Sequence, residues 1–175
     1  RAGANGIVGL QALMQAPPDG YTIAVAAAGP MAVNPSLYEK LPYDSLKDFS
    51  YITNMVIFPL ILVTHPSVPA KTTQDLINLA KAKPKQLFYG TPGSGNSAHL
   101  AGELLNSMAN VQTVHVPYKG SGPAIQDVLA GQVQVFISTP PSLMQHIQSG
   151  KLKGLAVTGK NRHPGMPNVP TTAEA

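Results

Sequence analysis

Between residues 87 and 157 the sequence alternates short apolar stretches with amphipathic stretches of helical length, and this alternation constrains the fold more than any other feature. The apolar stretches, each of strand length, are 87–89, 111–116, 133–137 and 152–157. Helices are predicted between them, at about 97–108, at about 123–130 and in a third stretch that ends near Ser149. Strands that alternate with single helices favour right-handed βαβ units, so we predict an α/β fold with a parallel sheet.

The first part of the chain is less regular. A helix is expected with Asn5 as its cap, and the run of Pro and Gly at 17–20 should end it. The continuous apolar stretch 21–27 then predicts a strand that is buried on both faces.

The stretch 51–65 is long and extended in character, and Pro59 interrupts it. A central strand does not tolerate proline, so this pattern predicts either two strands or a crossover between lobes. A helix is predicted from about residue 73 to residue 82. Thr72 as its cap and Asp75 at the third position form a variant of the capping box.

Ligands of open α/β sheets bind outside the carboxyl ends of the strands. Three loops follow predicted strands and should therefore meet at one sheet edge: 90–96, 117–121 and 138–141. This edge is where we expect the functional site.

The loop 90–97 joins a strand to the amino terminus of a helix, where main-chain N–H groups and the helix dipole attract anions. Ser94, Asn96 and Ser97 add neutral donors, and the loop holds no Lys or Arg. Such a loop suits a carboxylate better than a multiply charged phosphate. In the alternative interpretation, Asn96 or Ser97 only caps the helix and the glycines only turn the chain.

A nucleotide-binding α/β enzyme is the alternative function, because Gly93-x-Gly95-x-x-Ala98 matches a dinucleotide fingerprint literally. The fingerprint also requires an acidic residue about 20 positions further on. The sequence offers no Asp or Glu between Asn106 and Gln126, which disfavours this function. For His99, one turn into the same helix, a buried or capping role is favoured over catalysis.

Several classes of function are disfavoured by composition. There is no cysteine, the histidines lack metal-ligand spacing, and no convincing acid/base pair is present, so we predict no catalytic residue, no metal site and no cofactor. The net charge of +4 comes from scattered lysines, which is more typical of a solvated surface than of a nucleic-acid interface. No apolar stretch reaches the length of a membrane span.

A set of short motifs in consistent order resembles the TctC/Bug family of tripartite tricarboxylate transporter receptors. The three central motifs are 97–104 (SAHLAGEL), 114–124 (VHVPYKGSGPA) and 131–133 (GQV). Further similar segments are 34–38 (NPSLY), 41–44 (LPYD), 47–49 (KDF), 65–70 (HPSVPA) and 167–171 (PNVPT). Together they cover essentially the whole chain.

This resemblance implies a periplasmic receptor of the type II periplasmic-binding-protein fold, not an enzyme. Two α/β lobes would close on a small carboxylate and deliver it to membrane transporter subunits, and the second lobe would hold a parallel-rich sheet flanked by helices. Carried onto this chain, the resemblance assigns 1–57 to part of lobe I, 58–153 to lobe II and 154–175 to a crossover back to lobe I. For the full-length protein we expect a monomer without nucleic-acid partners.

The resemblance also implies where the ligand binds. Loops of both lobes would contribute, here Ala28, Gly29 and Pro30 from the first lobe and Gly93, Ser94, Gly95, Asn96 and Ser97 from the second. Many relatives carry Asp where this chain has Ser138, and the loss of that carboxylate disfavours amino-acid ligands. Because no initiator Met, signal peptide or opening strand is seen, and residues 171–175 look like the start of a helix, we expect an internal part of a longer protein that holds only part of the site.

Overall fold

The computed structural model describes residues 4–175, which form one five-stranded sheet with helices on both faces. The α-helices are α1 (Ile7–Met14), α2 (Asn34–Leu37), α3 (Thr73–Ala82), α4 (Ser97–Ala109), α5 (Ser121–Leu129) and α6 (Pro140–Gln148). The strands are β1 (Ile61–Thr64), β2 (Phe88–Thr91), β3 (Val114–Pro117), β4 (Val135–Ser138) and β5 (Lys153–Val157). A 3₁₀ turn, Ala4–Gly6, precedes α1, and a π-helical turn, Gly29–Val33, precedes α2.

The strands lie in the order β3-β2-β4-β1-β5. β2 pairs in parallel with both β3 and β4, as the alternation of strands and helices predicts. β1 is the exception: it inserts antiparallel between β4 and β5, so the sheet is mixed, although β2, β3, β4 and β5 all run in the same direction. β5 therefore pairs with β1 and has no direct hydrogen-bonded pairing with β4.

Side chains of the central strands alternate between two hydrophobic clusters, one on each face of the sheet. Leu62, Val135 and Ile137 pack with α3 and α4, whereas Ile61 and Phe136 pack with α5 and α6. Because both faces are covered, the strands are continuously apolar in sequence instead of alternating with polar residues.

Helix α3 is the element whose start was predicted most closely. The Thr72 hydroxyl accepts the N–H of Asp75 at 3.0 Å, and the Asp75 carboxylate accepts the N–H of Thr72 at 3.0 Å. These hydrogen bonds are made by residues three apart, so the local sequence suffices to specify them.

The strand predicted at 21–27 does not form. No other strand pairs with these residues within the part of the chain that the structure describes, and the side chains of Tyr21, Ile23 and Val25 are 93%, 72% and 79% exposed. A strand requires a neighbour that supplies ladder hydrogen bonds, so β-propensity alone does not produce one. Residues 51–58 do not form a strand either. Regular strand pairing starts only after Pro59, in β1.

The predicted helix cap at Asn5 is also wrong. Asn5 does not cap α1; Gly6 occupies that position without a side-chain cap, and Asn5 adopts a left-handed conformation with φ of 48°. The helix start predicted at 171–175 stays a prediction: these residues form a bridge to Val157 and a turn, in which the Thr171 N–H donates to the Glu174 carboxylate at 2.7 Å, as at the start of a helix.

No helix within residues 4–175 is both long enough and apolar enough to cross a membrane. The division into lobes stays a prediction. The predicted boundary after residue 153 falls inside β5. All five residues of this strand belong to the same sheet, in which β5 pairs with β1.

Candidate functional site

A cleft of about 750 Å³ lies between the loop after β2 and the amino-terminal part of the chain. Residues from the segments 4–10 and 24–30, together with Tyr38, line one side of the cleft. Residues from the segments 92–96 and 117–120 line the other side. Two of the three loops that were predicted to meet at the sheet edge therefore do so. The third loop, 138–141, contributes no residue to the cleft lining among the described residues.

The loop 93–97 uses only some of its main-chain donors within the protein. Asn96 caps α4, because its side-chain oxygen accepts the His99 N–H at 2.9 Å. The Gly95 N–H donates to His99 Nδ1 at 3.2 Å, and the Gly93 N–H lies 3.4 Å from the Thr91 hydroxyl. The cap predicted as an alternative role for Asn96 is thus present, and the two glycine N–H groups are directed to protein acceptors.

Other donors at this helix terminus remain available. Within residues 4–175, no hydrogen-bond acceptor is found for the main-chain N–H groups of Ser94, Asn96, Ser97 and Ala98. Ser94 and Asn96 line the cleft. An anion in the cleft would accept hydrogen bonds from such groups and gain from the dipole of α4.

The opposite wall is held by a buried polar network. Asn34 is fully buried; its Oδ1 accepts from Asn5 Nδ2 at 2.9 Å, and its Nδ2 lies 3.2 Å from the Tyr43 hydroxyl. The Tyr43 hydroxyl in turn donates to the carbonyl of Pro30. These bonds join three sequence segments, so the position of Pro30 in the cleft depends on tertiary contacts.

The two walls touch at Gly95. A Cβ at this position would lie 2.5 Å from Leu37 Cδ2 and 3.1 Å from Asn5 Nδ2, and its φ is +77°. Both the left-handed backbone and the lack of space require glycine here. The loop and the segment 29–37 are therefore in direct contact beside the cleft.

The charge of the lining favours anions. Within the described part of the chain, Lys119 is the one charged residue that lines the cleft, and no Asp or Glu does. The nearby Asp127 carboxylate accepts the Tyr118 hydroxyl at 2.7 Å. Burial of this hydroxyl, followed by its bond to Asp127, raises the pKa of Tyr118 to about 12.

Four of the nine predicted site residues line the cleft, namely Pro30, Gly93, Ser94 and Asn96. The other five do not: Ala28, Gly29, Gly95, Ser97 and Ser138. Ser138 is 3% exposed, and its hydroxyl lies 3.3 Å from that of Ser142. Binding of a ligand by any of the nine stays a prediction.

Lys119 was missed by sequence reasoning, although it lies in one of the three loops that were singled out. The predicted lack of Lys and Arg concerned the loop 90–97 alone, whereas Lys119 lies two residues after the end of β3, at the same sheet edge. The described residues contain no group of three His, Asp or Glu side chains that could hold a metal ion.

Comparison with known proteins gives consistent matches over the whole chain. A family model described as tripartite tricarboxylate transporter family receptor matches residues 1–175. The protein BugT of Bordetella pertussis is 37% identical over 175 residues, which is 99% of this chain and 54% of BugT. The chain spans about half the length of the curated relatives that it matches.

Solved structures agree with this result. An R. palustris protein solved with adipate has a TM-score of 0.96 and 34% identity, over 100% of this chain and 58% of that protein. MatC from Rhodopseudomonas palustris, solved with bound malate, has a TM-score of 0.90 and 28% identity, over 99% of this chain and 59% of MatC. The predicted family resemblance and the periplasmic-binding-protein fold class are confirmed.

Proposed function

Because the chain belongs to the receptor family of tripartite tricarboxylate transporters, we propose that it forms part of a periplasmic receptor that captures a small carboxylate. The ligand class is a mono- or dicarboxylic acid or an aromatic acid. The observation that carries the proposal is the position of Ser94 and Asn96, whose main-chain N–H groups lack an acceptor within residues 4–175, in a cleft large enough for such a ligand.

The electrostatics of the cleft support an anionic ligand. The positive end of the α4 dipole and the Lys119 ammonium group both favour negative charge, and no carboxylate in the described lining opposes it. A carboxylate seated at the loop 93–97 would replace the water that otherwise hydrates these donors. Since the donors are mostly neutral, a small organic acid suits them better than a phosphate.

The known ligands of structural neighbours support the same class. Adipate is present in one solved neighbour and malate in another, and both are small carboxylates. Their identities to this chain, 34% and 28%, are too low to transfer a particular acid. We therefore propose the chemical class and leave the ligand to experiment.

Delivery to membrane transporter subunits, a periplasmic location and a monomeric receptor are further parts of this proposal. The delivery and the location are supported by the family match and by a neighbour that is described as a periplasmic transporter. Ser138 does not line the cleft within the described residues, so the proposed exclusion of amino-acid ligands depends on the resemblance alone.

The alternative, a nucleotide-binding enzyme, is only partly supported by the structure. The fingerprint glycines do lie between β2 and α4, as a dinucleotide site requires. However, β3 ends at Pro117, and the residues from there to Gly120 include no acid that could bind a ribose. Binding of NAD, NADP or ATP by the intact protein would reverse this preference.

The test is isothermal titration calorimetry of the intact protein against a panel of mono-, di- and aromatic carboxylic acids. At least one acid should bind, and Ser94→Glu should abolish measurable binding. Two carboxylates about 4 Å apart repel each other by about 1 to 4 kcal/mol at a partly exposed site. Folding should be nearly unaffected, because Ser94 is exposed.

Ser149→Glu is the matched control, since Ser149 is also exposed but follows α6, outside the described cleft lining. It should bind as the wild type does. Failure of every acid to bind would refute the proposed function. Unchanged affinity of the Ser94→Glu variant would place the ligand elsewhere.

A further inference from the structure

Two histidine rings lie stacked behind the loop 93–97, and neither has a role in the proposed function so far. The ring centroids of His99 and His115 are 4.0 Å apart with an interplanar angle of 21°. The Tyr89 ring packs against the His115 ring, and their centroids are 4.9 Å apart. We call these residues, together with Thr91 and Glu103, the histidine cluster.

The hydrogen bonds of His99 define its tautomer. The Gly95 N–H donates to Nδ1, so this nitrogen is unprotonated and the ring proton lies on Nε2. Nε2 is 4.0 Å from Glu103 Oε1, the oxygen that also accepts the Tyr89 hydroxyl. His99 therefore holds the loop directly, through one main-chain N–H group.

His115 reaches the same loop through Thr91. The Thr91 hydroxyl donates to the carbonyl of Gly93 at 2.9 Å, so its contact of 2.7 Å with His115 Nε2 has the imidazole as donor. Burial, followed by the neighbouring His99, lowers the pKa of His115 to about 4. His115 is thus neutral near pH 7, and the two stacked rings do not repel each other as two cations would.

The cluster fixes alternate residues of the loop. Gly93 is held through Thr91 and Gly95 through His99, whereas the N–H groups of Ser94 and Asn96 have no acceptor within residues 4–175. Without its acceptor, the Gly95 N–H would be partly buried and unsatisfied, a condition that the loop would relieve by changing its backbone conformation.

We propose that His99 is a positioning residue, which by accepting the Gly95 N–H at Nδ1 holds the loop 93–97 with its remaining N–H groups available to a carboxylate. His115 supports it by stacking against the ring and by fixing Gly93 through Thr91. This inference depends on the proposed carboxylate-binding function and adds to it the residues that prepare the loop.

The experiment compares two substitutions of His99 in the intact protein, with adipate and malate as probes and calorimetry as the readout. His99→Asn retains an acceptor near the position of Nδ1, whereas His99→Leu retains bulk without an acceptor. We expect His99→Leu to weaken binding about tenfold and His99→Asn to restore most of that loss. His146→Leu removes a histidine that makes no hydrogen bond to the loop, and it should leave affinity unchanged.

Thr91→Val provides a second route if His99→Leu does not fold. It removes the hydroxyl between His115 and Gly93 with little change of shape, and it should also weaken binding. Equal affinity of wild type and His99→Leu would overturn the positioning role, as would an Asn variant as weak as the Leu variant. If wild type binds adipate or malate, these outcomes refute only the positioning role. If it binds no acid of the panel, the proposed function itself fails.

Discussion

Substitution of Gly102 by alanine tests how tightly the histidine cluster is packed. Gly102 lies inside α4, and a Cβ there would be 2.3 Å from Tyr89 Cε2, 2.7 Å from Cζ and 3.0 Å from Cδ2. Carbon atoms in favourable contact are about 3.5 to 4.0 Å apart, so the ring or the helix would have to move by more than about 1 Å. Tyr89 is 2% exposed and its hydroxyl is bonded to Glu103, which leaves the ring little freedom.

Two effects of Gly102→Ala oppose each other. Alanine in a helix interior is favoured over glycine by about 1 kcal/mol. Overpacking of a well-packed core costs about 1 to 3 kcal/mol, and contacts this short correspond to the upper end of that range. We therefore expect the free energy of unfolding to fall by about 2 kcal/mol.

Urea unfolding followed by circular dichroism measures this difference, and Gly122→Ala is the matched control. Gly122 lies in the first turn of α5, where an added Cβ meets no atom within 4 Å apart from its chain neighbours. The gain in helix propensity is opposed by the restriction that Pro123 places on the residue before it, so the control should differ from wild type by less than about 1 kcal/mol. A Tyr89→Leu background should reduce the penalty at Gly102, because the clashing ring is gone. The reasoning is refuted if Gly102→Ala is as stable as Gly122→Ala.

Two further predictions concern stability. Thr72→Ala should lower the free energy of unfolding by about 1 kcal/mol through loss of the α3 cap, whereas Thr72→Ser should retain it; equal losses in urea unfolding would contradict the capping role. The lowered pKa of His115, about 4, lies below the value near 6.5 of an exposed histidine in the unfolded chain. Between these two pH values the unfolded chain thus binds more protons than the folded protein does. The free energy of unfolding should therefore be highest above about pH 6.5 and should fall by about 1 to 2 kcal/mol on acidification to about pH 4, after allowance for solvent screening. His115→Asn should flatten this dependence in urea titrations, and an equally steep loss would assign it to other groups.

Much of the second half of the chain could be predicted from local sequence. Strands and helices between residues 87 and 157 appear within a few residues of their expected positions, and the Thr72 capping box is present as predicted. Helical periodicity, capping bonds three residues apart and short apolar runs are all local properties, so a single stretch of sequence suffices to specify them. The loop 93–97 at the amino terminus of α4 follows from the same pattern.

The errors occur where an element needs a distant partner. The apolar stretch 21–27 has strand-like composition, but no strand among residues 4–175 pairs with it. Asn5 looked like a helix cap, yet its side chain bonds Asn34, 29 residues away. β1 showed no signal for its antiparallel direction, because direction depends on which neighbours flank a strand and not on its own residues.

For the site, the sequence by itself determined which loop presents donors at a helix terminus and that no acid lies within it, since both follow from the order of residues along the chain. Only the tertiary structure decided which donors remain available. Gly93 and Gly95 are held by His115, Thr91 and His99, and Lys119 is brought to the same cleft from another loop. The physical reason is that hydrogen-bond satisfaction and cleft shape depend on atoms from segments far apart in sequence, and these are placed only when the sheet and its helices have packed.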